Sequence, residues 1–315
     1  MQYINDPFTD RTRPLFDIFG FGRFLCDRKN PENTKKWPYK FTIRDDCRMP
    51  TELTTLSFEE ICMKKLNEIK HMNRDNWVVL WSGGIDSSLV LRLLLEHEKD
   101  FNFSVMLSDA SIQTFPEMYN ELLKRGINLL SISKYLEIAN EVSYLAGAGA
   151  DPLTYQFANW YERGINPDMP IDNFYTAYSK IMKSKSLAKF QIDLILDSCP
   201  YELEYFCDLA WWYSFNFGWQ STSLGHNIML QANNTHYKRK IEAFFTGNLF
   251  ERWSLSTYKS RRIDNHRDIK APIKRFIYAL GDKNYADRII KTKSHILALG
   301  MNKSHRDIDA NGKLL

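Results

Sequence analysis

From Ser57 the segment SFEEICMKKLNEIKHM places Phe58, Ile61, Cys62, Leu66 and Ile69 at helical spacing, and Ser57 with Glu60 forms a capping-box signature. This pattern predicts an amphipathic helix. It leads into WVVLW, Trp77 to Trp81, a short continuous apolar run of the kind buried on both faces of a parallel sheet. After the polar heptad SGGIDSS comes LVLRLLLE, which has leucines on most sides and turns polar at Glu96, so it reads as a largely buried helix. A second strand is expected at about Phe103 to Leu107, then Ser108-Asp109 and a helix from Pro116 to Arg125 with Gly126 as its cap. A third strand follows near Leu129 to Ile132. Strand, helix, strand, helix, strand predicts an α/β, doubly wound parallel sheet whose ligands lie at the carboxyl ends of the strands.

Outside this core the pattern is less regular. Residues 134–215 are mostly helical in pattern. Ser221 to Leu224 reads as the end of a fourth strand, running into Gly225-His226-Asn227 and a polar amphipathic helix. The last third reads as helices separated by basic loops. The first 50 or so residues, rich in aromatics and turn residues, read as a few strands or loops, with GFG at 20–22 a turn. The expected organisation is an N-terminal extension over 1–56, a nucleotide-binding α/β domain over 57–250 and a basic, mainly helical region over 251–315.

Composition narrows the class. The 315 residues are 44% hydrophobic and 25% charged, which excludes a disordered chain. Five cysteines, widely spread and never in a CxxC pair, read as free thiols in a reducing compartment. No apolar run reaches the roughly 18 residues of a membrane span, and the acid-bearing start MQYINDPFTDRTR does not read as a signal peptide, so a cytoplasmic protein is expected. The net charge of +4 conceals an asymmetry: residues 252–315 carry 15 Lys and Arg against 6 acids, whereas residues 1–251 carry 27 against 32. The basic end can face nucleic acid, an anionic ligand or solvent.

The chemistry concentrates in SGGIDSS. It leaves a buried strand, turns on Gly83 and Gly84 and opens a helix, so consecutive backbone N–H groups can converge on phosphate oxygens at a positive helix end. Ser82, Ser87 and Ser88 can add hydroxyl donors. Asp86 is a carboxylate beside a phosphate site, repulsive unless a cation lies between, and is best read as a Mg²⁺ ligand. The loop lacks the lysine of the GxxxxGK[ST] type.

SGGIDSS resembles the pyrophosphate-binding loop of the PP-loop ATP pyrophosphatases, or adenine nucleotide alpha hydrolases. The resemblance covers about Ser57 to Thr246 and implies cleavage of ATP between the α- and β-phosphates. It implies that a substrate oxygen attacks the α-phosphorus and that the adenylated substrate is then displaced by a nitrogen or sulfur nucleophile. By the same resemblance the second strand offers Leu107, Ser108 and Asp109 to the adenine nucleotide.

Within that superfamily, SFEEICMKKLNEI followed by WVVLWSGGIDSSLVL resembles the synthetase domain of asparagine synthetases. Gly147-Ala148-Gly149-Ala150-Asp151 is similar to their GEGADE segment, with Pro152 in place of the acid, which makes Gly149 and Asp151 candidate substrate contacts. Phe115-Pro116-Glu117 after Asp109 resembles phosphoadenylylsulfate reductases, although no cysteine lies beyond Cys207. Leu224-Gly225-His226-Asn227 is similar to a motif of tRNA-modifying members and makes His226 a candidate. Lys270 and Lys274, in DIKAPIKR with Arg275, are candidates for the polyphosphate. No glutaminase module is visible, so ammonia is expected free or from a separate partner. The leading expectation is an ATP-dependent enzyme that adenylates a carboxylate or amide for C–N bond formation, with ATP and Mg²⁺. Its alternatives are a nucleic-acid-modifying enzyme of the same type, motivated by the basic end, and a nucleotide-binding module without turnover.

Overall fold

The computed structural model describes residues 49–72, 76–135, 137–138, 141–150, 153, 165–216, 241–265 and 270–282. The described chain forms two compact units, each assembled from separated segments. One takes 56–150, 241–246 and 270–282; the other takes 49–55, 153, 165–216 and 247–265. Segments of the expected 57–250 domain therefore contribute to both units.

The first unit is built on a parallel sheet. Its strands are β1 (Trp77–Leu80), β2 (Phe103–Leu107), β3 (Leu129–Ser131), β4 (Ser143–Ala146) and β5 (Ile241–Ala243), in the order β3-β2-β1-β4-β5. Every pairing is parallel; Trp77 stands opposite both Phe103 and Ser143. The doubly wound α/β reading holds at the level of a parallel sheet with helices. Strand order reverses between β1 and β4, which makes the carboxyl ends of these two strands the switch point of the sheet.

Helix α1 (Phe58–His71) begins at the predicted capping box: Glu60 N–H donates to Ser57 Oγ at 3.2 Å and Ser57 N–H donates to Glu60 Oε2 at 2.7 Å. Those bonds hold the Glu60 carboxyl below the usual carboxylate range. Helix α2 (Ile85–Glu96) is buried along nearly its whole length. The arginine that interrupts its leucines is not an exception to burial, because Arg92 reaches Glu121 and Asp282 at 2.8 Å each. Two helices, α3 (Asp109–Thr114) and α4 (Pro116–Lys124), follow β2. The first was not expected.

Two further strands depart from the expectation. β4 lies in the stretch read as mostly helical, and β5 falls in a region read as helices and loops. Four residues, SYLA, are too few to display a period. The expected strand at 221–224 lies outside the described residues. β5 carries Glu242 at its centre, where the carboxylate accepts a 2.7 Å hydrogen bond from Lys65 Nζ of α1, both side chains being about 5% exposed or less.

The second unit is helical: α5 (Ile171–Met182), α6 (Lys185–Ser198), α7 (Phe206–Asn216) and α8 (Asn248–Asn265). Every residue of α7 is buried, as befits a helix that is apolar all round. Its indoles have polar partners: Trp211 Nε1 donates to Ser254 Oγ at 3.0 Å and Trp212 Nε1 to Ser198 Oγ at 2.8 Å. Trp211 also stacks on Tyr258 with centroids 4.5 Å apart. Cys62, Cys199 and Cys207 are free thiols, and burial pushes the Cys62 thiol well up. Among the described residues, no helix is long and apolar enough to cross a membrane.

The Lys65–Glu242 pair gives a test of the sheet edge. Removing one partner, as in Glu242→Ala, leaves a buried ammonium and is expected to destabilise the protein by about 3–5 kcal/mol. Replacing both, Lys65→Met with Glu242→Leu, should restore most of that loss. Urea unfolding midpoints distinguish the outcomes, and equal loss in the single and double variants would contradict the pairing.

Candidate functional site

The site is organised around the exit of β1. Trp81, fully buried, continues the strand direction: its N–H donates to the Met106 carbonyl at 2.9 Å. Its carbonyl accepts from Ser111 Oγ of α3 at 2.9 Å, and its indole Nε1 donates to Ser88 Oγ at 3.0 Å. The chain can then turn only at glycine. Gly83 has φ +71°, and a Cβ there would stand 2.6 Å from the Ser111 carbonyl oxygen and 2.8 Å from Thr114 Cβ. Helix α3 thus closes over the loop.

Inside the loop the hydroxyls are shared out among the loop's own atoms. Ser87 Oγ donates to the Gly84 carbonyl at 3.0 Å and accepts the Ser82 N–H at 3.1 Å. Since its single proton is committed, the 3.0 Å contact between the two hydroxyls has Ser82 Oγ as donor, and Ser82 Oγ in turn accepts from Gly84 N–H at 3.3 Å. Ser88 is buried beneath Trp81. The three serines therefore shape the loop and take up the Ser82 and Gly84 N–H groups, which leaves the backbone N–H groups of the first helical turn as its donors. Helix geometry directs those of Ile85, Asp86 and Ser87 out of the N-terminal end of α2, where the dipole is positive.

The second strand of the switch point closes the other side. Gly147, directly after β4, packs on the Asp86–Ser87 peptide so tightly that a Cβ would lie 2.5 Å from Ser87 N and 2.8 Å from the Asp86 carbonyl carbon. Gly149, at φ +95°, passes equally close to the Phe245 carbonyl after β5. The GAGA segment is thereby brought against the SGGIDSS loop. Gly147 was not among the expected site residues; its signal was a short apolar run ending in glycine, as at β1.

Asp86 is 24% exposed at the head of α2, and its Oδ2 receives the Lys270 ammonium at 3.0 Å. Lys270, 15% exposed, is the N-cap of α9 (Ala271–Ala279). Of the two lysines expected at the polyphosphate, the structure brings Lys270 to the loop; Lys274 is one turn further along α9, half-buried. Asp86 is a hard oxygen donor at a helix end aimed at anions, which fits a Mg²⁺ shared with substrate phosphates. Among the described residues no three His, Cys, Asp or Glu side chains cluster as a metal site.

At the carboxyl ends of β2 and β3 lies a concavity of about 420 Å³ lined by Leu107, Ser108, Asp109, Tyr119, Ser131 and Ile132, among others. Ser108 caps α3: its N–H donates to Ser111 Oγ at 3.2 Å and its Oγ accepts the Ser111 N–H at 3.3 Å. Its carbonyl accepts the Ser111 and Ile112 N–H groups at 2.9 and 3.2 Å, so the polar groups of Ser108 are engaged within the cap, and Asp109 is exposed at the rim. Asp151 and His226 lie outside the described residues. Comparison with protein-family models and with curated proteins gives no match.

Gly147→Ala places a methyl group against backbone that cannot yield, and is expected to cost roughly 1–3 kcal/mol. Urea unfolding checks it. An unchanged midpoint would mean that the close approach of the two loops is not a constraint.

Proposed function

We propose that the chain cleaves ATP to AMP and pyrophosphate, adenylating a carboxylate or amide so that a nitrogen nucleophile can form a C–N bond. The observation that carries this reading is the SGGIDSS loop at the β1/β4 switch point, with backbone donors converging at the start of α2 and Asp86 beside them. A substrate oxygen attacks the α-phosphorus and the α–β bridging oxygen departs with pyrophosphate; the nitrogen nucleophile then displaces AMP. The backbone N–H groups of the first turn of α2 hold the departing pyrophosphate, at the end of a loop preorganised by Ser82 and Ser87. Asp86 would hold Mg²⁺, which neutralises charge on the phosphates. Leu107, Ser108 and Asp109 line a concavity of suitable placement for the nucleoside. Gly149 and the segment after β4 border the same switch point and are assigned to the acceptor side.

Lys270 Nζ pairs with Asp86 Oδ2 at 3.0 Å. With Mg²⁺ held by Asp86, the Lys270 ammonium would supply positive charge to the polyphosphate. The reaction needs no protein thiol, and Cys62 is held protonated by its burial.

Two variants separate these roles. Asp86→Ala should lower ATP–pyrophosphate exchange by about 100-fold or more, the scale of losing one preorganised charge-stabilising group. Lys270→Met should lower turnover while raising affinity for Mg²⁺ alone, because the carboxylate loses its competing cation. Exchange is measured with a panel of carboxylates and amides, and Mg²⁺ affinity by calorimetry. Folded protein that yields no AMP with any member would contradict the proposal. Tight ATP binding indifferent to Asp86→Ala would instead favour a module without turnover.

A further inference from the structure

The helical unit carries a concentration of positive charge that the ATP site does not use. Between Asp172 and Asp193 the chain has four lysines, Lys180, Lys183, Lys185 and Lys189, and no acidic residue. All four are exposed, and they fall at the tip where α5 turns into α6. Lys189 is engaged by Asp193 at 2.8 Å, which leaves Lys180, Lys183 and Lys185 as the surplus.

Two local features run against what stability alone favours. Lys183 closes α5 in the left-handed conformation, φ +53°, where glycine or asparagine avoids crowding at Cβ. Helix α6 opens with Lys185 and carries Asp193 and Asp197 in its second half, the reverse of the order its dipole favours. Departures of this kind mark surfaces kept for something other than folding. Phe190, which follows Lys189 on α6, is 37% exposed, one of five large apolar side chains so placed among the described residues. Tyr175 braces the turn by donating to the Lys185 carbonyl at 3.4 Å.

We infer that the α5–α6 tip is a docking surface for single-stranded nucleic acid. Three exposed cations gathered at one turn complement the phosphates of a single strand, and the exposed Phe190 ring on the same helix offers a face on which a base stacks. An anionic membrane would call for a broader apolar stripe than one phenylalanine.

The test uses the full chain and a fluorescein-labelled 20-nucleotide RNA of mixed sequence, with binding followed by anisotropy across a series of KCl concentrations. The triple variant K180Q/K183N/K185Q removes three charges, asparagine being chosen at 183 because it tolerates the left-handed backbone. It should bind at least about tenfold more weakly, and the slope of log K against log salt should fall in magnitude by about 2, the release expected for three single-strand phosphate contacts. Phe190→Ala should weaken binding roughly fivefold or more without changing that slope. Thermal unfolding confirms that the variants are folded. The assay contains no nucleotide, so its outcome is separate from that of the ATP chemistry. Absence of RNA binding by the wild type overturns the inference, as does a triple variant with unchanged affinity and slope, which would assign binding to the basic end of the chain. Tighter binding to phosphatidylserine vesicles than to RNA also overturns it.

Discussion

The close approach of backbone to backbone around the exit of β1 is the constraint on which the rest depends. Gly83 lies under the Ser111 carbonyl and Gly147 lies on the Asp86–Ser87 peptide, each at a separation that no Cβ would permit. With both sides closed by main chain, the loop has one way to turn, and α2 must start where it does. Hydrophobic burial supplies the force that holds this arrangement, since β1, β4 and nearly all of α2 are inaccessible to water. The glycines supply its geometry.

Electrostatics then follows from where α2 begins and what lies beside it. α9 packs on α2 and is tied to it by two ion pairs, Lys270 with Asp86 at the start and Asp282 with Arg92 beyond the end. One pair is at the site and partly exposed; the other is more deeply enclosed and also engages Glu121. A ligand that competes for Asp86 therefore acts on one end of a helix whose other end stays anchored. The lysine brought in from residue 270 provides a positive charge that the loop sequence itself lacks.

How far the sequence reveals this depends on the range of the interaction concerned. The Ser57–Glu60 cap, the strand from Trp77, the strand over Phe103–Leu107 and the helix from Pro116 all rest on neighbours in sequence, and they are found where the pattern places them. α3 is six residues of mixed polarity whose start depends on a reciprocal Ser108–Ser111 cap, a weaker signal than Ser with Glu. β5 is invisible because its central Glu242 looks unsuited to a buried strand until Lys65, 177 positions earlier, is known to meet it. Likewise Lys270 could be named only as one of several basic residues; its meeting with Asp86 across 184 positions is a property of the fold. Ser88 illustrates the converse, because the motif suggests a hydroxyl donor to a ligand and the packing buries that hydroxyl, which accepts the Trp81 indole N–H.

On the proposed reading, the N–H groups at the start of α2 receive polyphosphate. Hydrogen–deuterium exchange of the whole protein, with Mg²⁺ and an ATP analogue that resists cleavage between its α- and β-phosphates, tests it most directly. Exchange should slow in peptides spanning 82–88, with a smaller effect over 107–111 and little change in the helical unit. Unaltered exchange over 82–88 at saturating analogue, or protection confined to another segment, would contradict it.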